Sequence, residues 1–272
     1  MSKINHWMIT FVFSLVFNGF ASAQYFELKP AQNFGGKQQL NDYIAEEMVY
    51  PEKAMKDKTE GTVMITCIVT KDGDTKDIRV SNPASPELDA EALRIFSHLL
   101  WEPSVYRGMN LDSEAMIEID FKIKKYLRAV KKRGYEKIKY PYEPVDTTLI
   151  VYKTGQLNKP PKPVFEKPGM RFGNFISENM VYPQAALSQE IMGTVALFFV
   201  VEPSGRVSNI KVDKSVGGGC NEEAIRLLKL MKWEPGISED KAVRTEMILH
   251  LTFNLADYEN LRYIPASNNN QF

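Results

Sequence analysis

Cysteine and histidine are scarce in this 272-residue sequence: there are two of the first and three of the second. The histidines are His6, His98 and His250, and no cysteine or carboxylate stands at ligand spacing to either of the last two, so no metal site is expected. The patterns G-x-S-x-G, H-E-x-x-H and G-K-[ST] are missing. Gly217, Gly218 and Gly219 precede a helical pattern without the lysine that a phosphate loop needs, and read as a loop leading into that helix. An excess of one charge sign is lacking too. The 34 basic residues balance the 34 acidic ones, so no overall field draws the chain to nucleic acid. The expectation is a protein that is not an enzyme, without cofactor, small-molecule substrate or nucleic-acid partner.

Apolar runs long enough to cross a bilayer are also absent. The one candidate, residues 7–17, has 11 residues against the ~20 needed for a transmembrane helix. Lys3 precedes it, Asn18 and Gly19 interrupt it, and Ala21, Ser22 and Ala23 form an A-x-A cleavage pattern, which together read as a secretory signal peptide over residues 1–23. Cleavage is expected before Gln24, with export from the cytoplasm; an uncleaved membrane anchor is the alternative. The 249 residues that follow suit two domains of modest core.

What the sequence has is an internal repeat. Tyr50 and Pro51, Gly61 and Thr62, Trp101 and Pro103 recur as Tyr182 and Pro183, Gly193 and Thr194, Trp233 and Pro235, each displaced by 132 residues without a gap. A period this long means duplicated domains rather than a solenoid. The expected organisation is copy one over residues 24–123, a basic and then Pro-rich linker over 124–165, copy two over 166–256, and a polar tail over 257–272. Cys67 and Cys220 fall at non-matching places in the copies, so a disulfide inside each domain is not the design. Cys67 reads as a small buried apolar residue, because the second copy has Phe199 there.

Within each copy the periodicities follow one order. A helix presents Leu40, Tyr43, Ile44 and Met48, or Phe172, Phe175, Ile176 and Met180, and Pro51 or Pro183 then starts a second short helix. Apolar residues at every second place, Val63, Ile65, Cys67 and Val69 or Val195, Leu197, Phe199 and Val201, mark a half-buried strand. Gly73 and Gly205 supply hairpin turns to an antiparallel partner carrying Ile78 and Val80, or Ile210 and Val212. A helix capped by Ser85 or Asn221 follows, and then a closing strand with Ala115, Ile117, Ile119 and Phe121, or Met247, Leu249, Leu251 and Phe253, on its apolar side. The fold class is α+β, with each copy a three-stranded antiparallel sheet and helices packed on one face. An open sheet of this kind displays unpaired backbone groups along its edges.

This order of motifs, repeated twice, resembles the TonB C-terminal domain family over roughly residues 34–123 and 166–256. The resemblance implies a periplasmic domain of Gram-negative bacteria that binds a short segment of an outer-membrane transporter as an extra strand beside its own last strand. It therefore implies a partner-binding site along the last strands, at Glu114, Met116, Glu118 and Asp120 and at Glu246, Ile248, His250 and Thr252. Tyr50, Pro51, Gly61, Trp101, Pro103, Tyr182, Pro183, Gly193, Trp233 and Pro235 are expected to determine the fold instead. The expected partners are cell-envelope proteins, TonB-dependent transporters among them. A structural or dimerisation protein with occupied edges, including a homodimer, is the rival reading, and an inner-membrane-anchored energy transducer is a third if the signal is uncleaved.

The sequence departs from a full energy transducer of that family, which has an uncleaved membrane helix and a long Pro-rich arm. Ser2 and His6 share the family's Ser-x-x-x-His spacing but precede the apolar run, so the match is read as coincidence. Residues 124–139 carry eight basic residues against Glu136 alone, a bias read first as a solvated helix or linker and second as a contact for an anionic envelope component. Pro160, Pro161 and Pro163 then predict a stiff, extended connector.

Overall fold

Alternation of apolar and polar residues makes the two sheets, and the computed structural model, which describes residues 28–256, pairs them strand by strand. The expected signal peptide over 1–23 and the expected polar tail over 257–272 lie outside the described residues. In copy one, β1 (Gly61–Val69) turns Val63, Ile65, Cys67 and Val69 inward at 3% exposure or less. β2 (Thr75–Asn82) and β3 (Ser113–Phe121) flank it, both antiparallel, in the order β2-β1-β3. The inner face carries α1 (Gly36–Glu47), α2 (Glu52–Lys56) and α3 (Pro86–Ser97), and Leu40, Tyr43, Ile44, Ile95 and Phe96 complete the core. α3 starts as its sequence predicts, with Ser85 Oγ accepting from the Leu88 N–H at 3.3 Å and Pro86 in the first turn.

Copy two repeats this with α5 (Phe172–Asn179), α6 (Gln184–Ser188), β4 (Gly193–Val201), β5 (Val207–Lys214), α7 (Cys220–Leu230) and β6 (Lys241–Phe253). Its sheet, however, has five strands rather than the expected three. Gly236–Ser238 forms a hairpin with the start of β6, and Val151–Tyr152 from the connector runs parallel to it. Asn221 is not the cap of α7: Gly219 takes that place at φ 89, and the Asn221 side chain holds the preceding loop through Val216 N–H at 3.1 Å and Ser215 Oγ at 2.7 Å. Both cysteines are free and buried, and burial pushes the Cys67 thiol up to about 11.

The recurring residues occupy matching structural places. The Tyr50 hydroxyl donates to the Thr59 carbonyl at 2.6 Å with its ring edge-on to Phe121, and Tyr182 does the same with Ile191 at 2.7 Å and Phe253. Gly73 and Gly205 turn at positive φ against the Trp101 and Trp233 carbonyls, where an added Cβ would stand 2.9 and 2.3 Å from the oxygen. Glu91 accepts from the Val49 N–H at 2.8 Å and Glu223 from the Val181 N–H at 2.6 Å, each carboxylate gripped by an arginine three residues on, Arg94 or Arg226. Trp101 lies in a short strand, Trp101–Glu102, that pairs with Gln32–Asn33, while Lys232–Glu234, containing Trp233, pairs with Lys162–Val164. Pro103 and Pro235, without an N–H, separate these from the next short strands.

Residues 124–165 do not form a free linker. Most of the basic run is α4 (Ile123–Arg133), whose Tyr126 is 3% exposed against copy one, with Ile123 and Val130 packed beside it. The Arg133 guanidinium donates to the carbonyls of Ala45, Glu46 and Met48 at 2.8–2.9 Å and closes the end of α1. The charge run concealed this docking because three apolar side chains at helical spacing suffice to bury one face.

Candidate functional site

β3 pairs with β1 over nine residues, from Gly61 opposite Phe121 to Val69 opposite Ser113. Among the described residues no strand pairs on its other side, so the backbone groups directed there remain open. Ile117, Ile119 and Phe121 point into the core; Glu114, Met116, Glu118 and Asp120 all stand exposed on the outer face. Asp120 accepts from the Thr62 hydroxyl at 2.7 Å, and Glu114 lies 3.8 Å from Arg79. The outer surface beneath this row is also open, with Thr62, Met64, Thr66 and Ile68 half-buried and Met116 exposed.

β6 offers a shorter version. It pairs with β4 from Gly193 opposite Phe253 to Val201 opposite Thr245. Thr245 also pairs with Tyr152 and Arg244 with Val151, so the connector lies on the edge of β6 away from β4. The Asp146 N–H donates to the Ala242 carbonyl and the Ala242 N–H to Pro144, both at 2.9 Å, which extends the occupied stretch. Residues 246–253 have no strand on that side among those described. Ile248, His250 and Thr252 are exposed there and Glu246 is half-buried. The connector is thus an extended segment already added to the last strand of a domain in this chain.

The outer face of sheet two is closed where that of sheet one is open. Val200 has no exposure and Ala196 has 4%, because copy one packs there. Phe34 meets Phe198 edge-on at 5.4 Å, and Gly35 approaches the Ile210 carbonyl so closely that a Cβ would stand 2.2 Å from it. Polar contacts fix the register. Asn209, at positive φ in a bulge of β5, accepts from the Leu100 N–H at 2.7 Å and donates to the His98 carbonyl at 3.0 Å. Arg206 pairs with Glu47 at 2.7 Å, Lys211 with Glu102 at 2.7 Å and Lys229 with Asp42 at 2.5 Å. Arg244, 5% exposed, grips Glu202 with two bonds of 3.0 Å and donates to the His98 carbonyl at 2.8 Å. These residues went unread in the sequence, yet one signal was present. Residues 195–201 are apolar without interruption, which marks a strand covered on both faces, whereas Thr66 breaks the run in β1.

Among the described residues no group of three or more His, Cys, Asp or Glu converges on a metal position. None of the helices there is long and apolar enough to cross a membrane. His98 keeps its Nδ1 2.9 Å from the Arg94 carbonyl, and His250 stands exposed on β6.

The family model described as Gram-negative bacterial TonB protein C-terminal matches residues 46–123 and again 178–255. A solution NMR structure of the Pseudomonas aeruginosa TonB C-terminal domain is 30% identical over 29% of this chain and 82% of its own, with a TM-score of 0.25. No curated protein gives a significant match.

Proposed function

The chain belongs to the family of Gram-negative bacterial TonB protein C-terminal domains, twice over, and on that premise we propose that it is a periplasmic adaptor binding extended segments of envelope proteins by strand addition. Domains of this family carry an envelope protein-interaction role. The finer reading places the partner strand along the free edge of β3, beside Glu114, Met116, Glu118 and Asp120, with residues 246–253 of β6 as a second, shorter site. Outer-membrane transporters with exposed N-terminal segments are the partners the family suggests. Main-chain hydrogen bonds supply the affinity, and alternate side chains over the open outer face supply the selectivity.

The observation that carries this reading is the connector strand on β6. An extended segment already sits on the outer edge of a last strand, while the same edge in copy one has no partner among the described residues. Because the copies are docked through Asn209, Arg206 and Arg244, the two edges are held at a fixed separation, so any avidity depends on partner geometry rather than on linker length. Hydrogen exchange on the protein mixed with transporter N-terminal peptides tests the proposal. Protection of amides in Ser113–Phe121 is expected, and unchanged exchange along both last strands would remove it.

The docking of the copies on each other favours a second reading, a structural protein whose domains serve as each other's partners. In that case no added peptide protects either strand. Antiparallel pairing of two β3 edges into a homodimer is disfavoured, since it would bring Glu114, Glu118 and Asp120 against their own kind.

A further inference from the structure

The edge strand is followed, after Lys122 alone, by a helix whose charge the adaptor role leaves unexplained. On α4, Lys124, Lys125, Arg128, Lys131 and Lys132 are all exposed, and none has a hydrogen bond or ion pair among the described residues. At 3.6 residues per turn these five cations fall within an arc of about 120°. Ile123, Tyr126 and Val130 occupy the opposite side and are anchored in copy one, and Arg133 ties the helix end to three carbonyls of the first helix and its cap. The helix therefore cannot roll to hide its charge. Leu127, 52% exposed, borders the arc. The neighbouring cations behave differently: Lys122 lies 3.7 Å from Glu60 and Lys137 3.1 Å from Glu52.

We propose that this face of α4 docks the protein on an anionic lipid bilayer surface. Four of the five cations are lysines, compact charges on flexible stems that suit a diffuse anionic layer rather than the two-pronged recognition that arginine gives a single carboxylate or phosphate. The face is also the outer side of a helix, and its depression beside Glu60, lined by Lys124, Leu127, Arg128 and Lys131, is shallow and open rather than enclosing. A flat layer of lipid headgroups complements both the arc and the apolar Leu127 at its margin. Docking in this way holds the free edge of β3 close to the membrane. The proposal does not depend on strand addition.

Vesicle co-sedimentation of the full chain tests it, using an equimolar mixture of phosphatidylglycerol and phosphatidylethanolamine against phosphatidylcholine alone. The ratio between the two vesicle types cancels any contribution from the apolar run at the N-terminus. A clear preference for the anionic vesicles is expected, lost as salt rises from about 0.05 to about 0.5 M. Lys124→Gln with Lys131→Gln, both on the exposed face, should weaken the anionic binding about 25-fold, or about fivefold per cation. An unchanged circular dichroism spectrum is expected for that variant. Equal partition into both vesicle types overturns the proposal, as does a preference that the double substitution leaves intact. Binding of soluble polyglutamate without any vesicle preference overturns it in favour of an acidic polypeptide.

Discussion

Ile68 and Val200 stand 132 residues apart at the same place on the outer faces of the two sheets, one half-buried and the other without exposure. Their strands, turns and helices correspond, so the difference comes from what lies over each sheet. Copy one covers the outer face of sheet two with Phe34, Gly35 and α1. Nothing among the described residues covers the outer face of sheet one. The first helices differ in the opposite sense: α1 is held between its own core, α4 and copy two, while α5 has no fully buried residue. A duplicated domain has thus been given two duties, one copy kept open at edge and face, the other used as a platform with its last strand partly occupied.

Substitutions at matching positions should expose that division, the largest effect coming at Arg244. Arg244→Ala leaves Glu202, 6% exposed, as an uncompensated buried charge and should cost about 3–5 kcal/mol in urea unfolding. Asp112→Ala, at the same place in copy one, loses an exposed pair with Lys76 and should cost less than about 1 kcal/mol. Equal losses would show that the copies are not differently supported. Next comes Val200→Thr, which places a hydroxyl in a dry contact between the copies and should destabilise by about 1–3 kcal/mol, against less than about 1 for Ile68→Thr on the half-open face.

Smaller and deliberately symmetric effects are expected at the tyrosines. Tyr50→Phe and Tyr182→Phe each remove one hydrogen bond to a carbonyl, at 2.6 and 2.7 Å, and should each cost about 1 kcal/mol by thermal unfolding. A large gap between them would mean that even the shared motif has diverged. The smallest effect is a pH dependence of the docking between copies. Burial raises the Glu102 carboxyl, but hydrogen bonds from Lys211 and Gln32 and the Lys211 charge outweigh it and leave the group below the usual carboxylate range. Its contribution is therefore fully present above about pH 4.5 and is lost as the pH falls through the lowered folded value. Hydrogen exchange at β5 should speed up in that acid window, and Glu102→Gln should flatten the change.

Much of this was legible in the residues. The places of Val63, Ile65, Cys67 and Val69, the Ser85 cap, and the inward face of β3 follow from period-2 and period-3.6 patterns. α4 was masked by its own charge, although Ile123, Tyr126 and Val130 stand at helical spacing. The connector strand was not legible at all, because two residues, Val151 and Tyr152, are too few to show a period and the bonds they form are made by backbone groups every residue has. Of the expected sites, all eight last-strand residues reach the sheet's outer side, but the open backbone edge beside them is a property of the assembly.

The sequence by itself determined the scaffold and its duplication, since core, turn and cap positions are local demands that each copy states for itself. Only the tertiary structure decided which copy is left open. That depends on contacts such as Asn209 with Leu100 and Arg244 with His98, between residues more than 100 positions apart, whose side chains carry no mark of the surface they will meet.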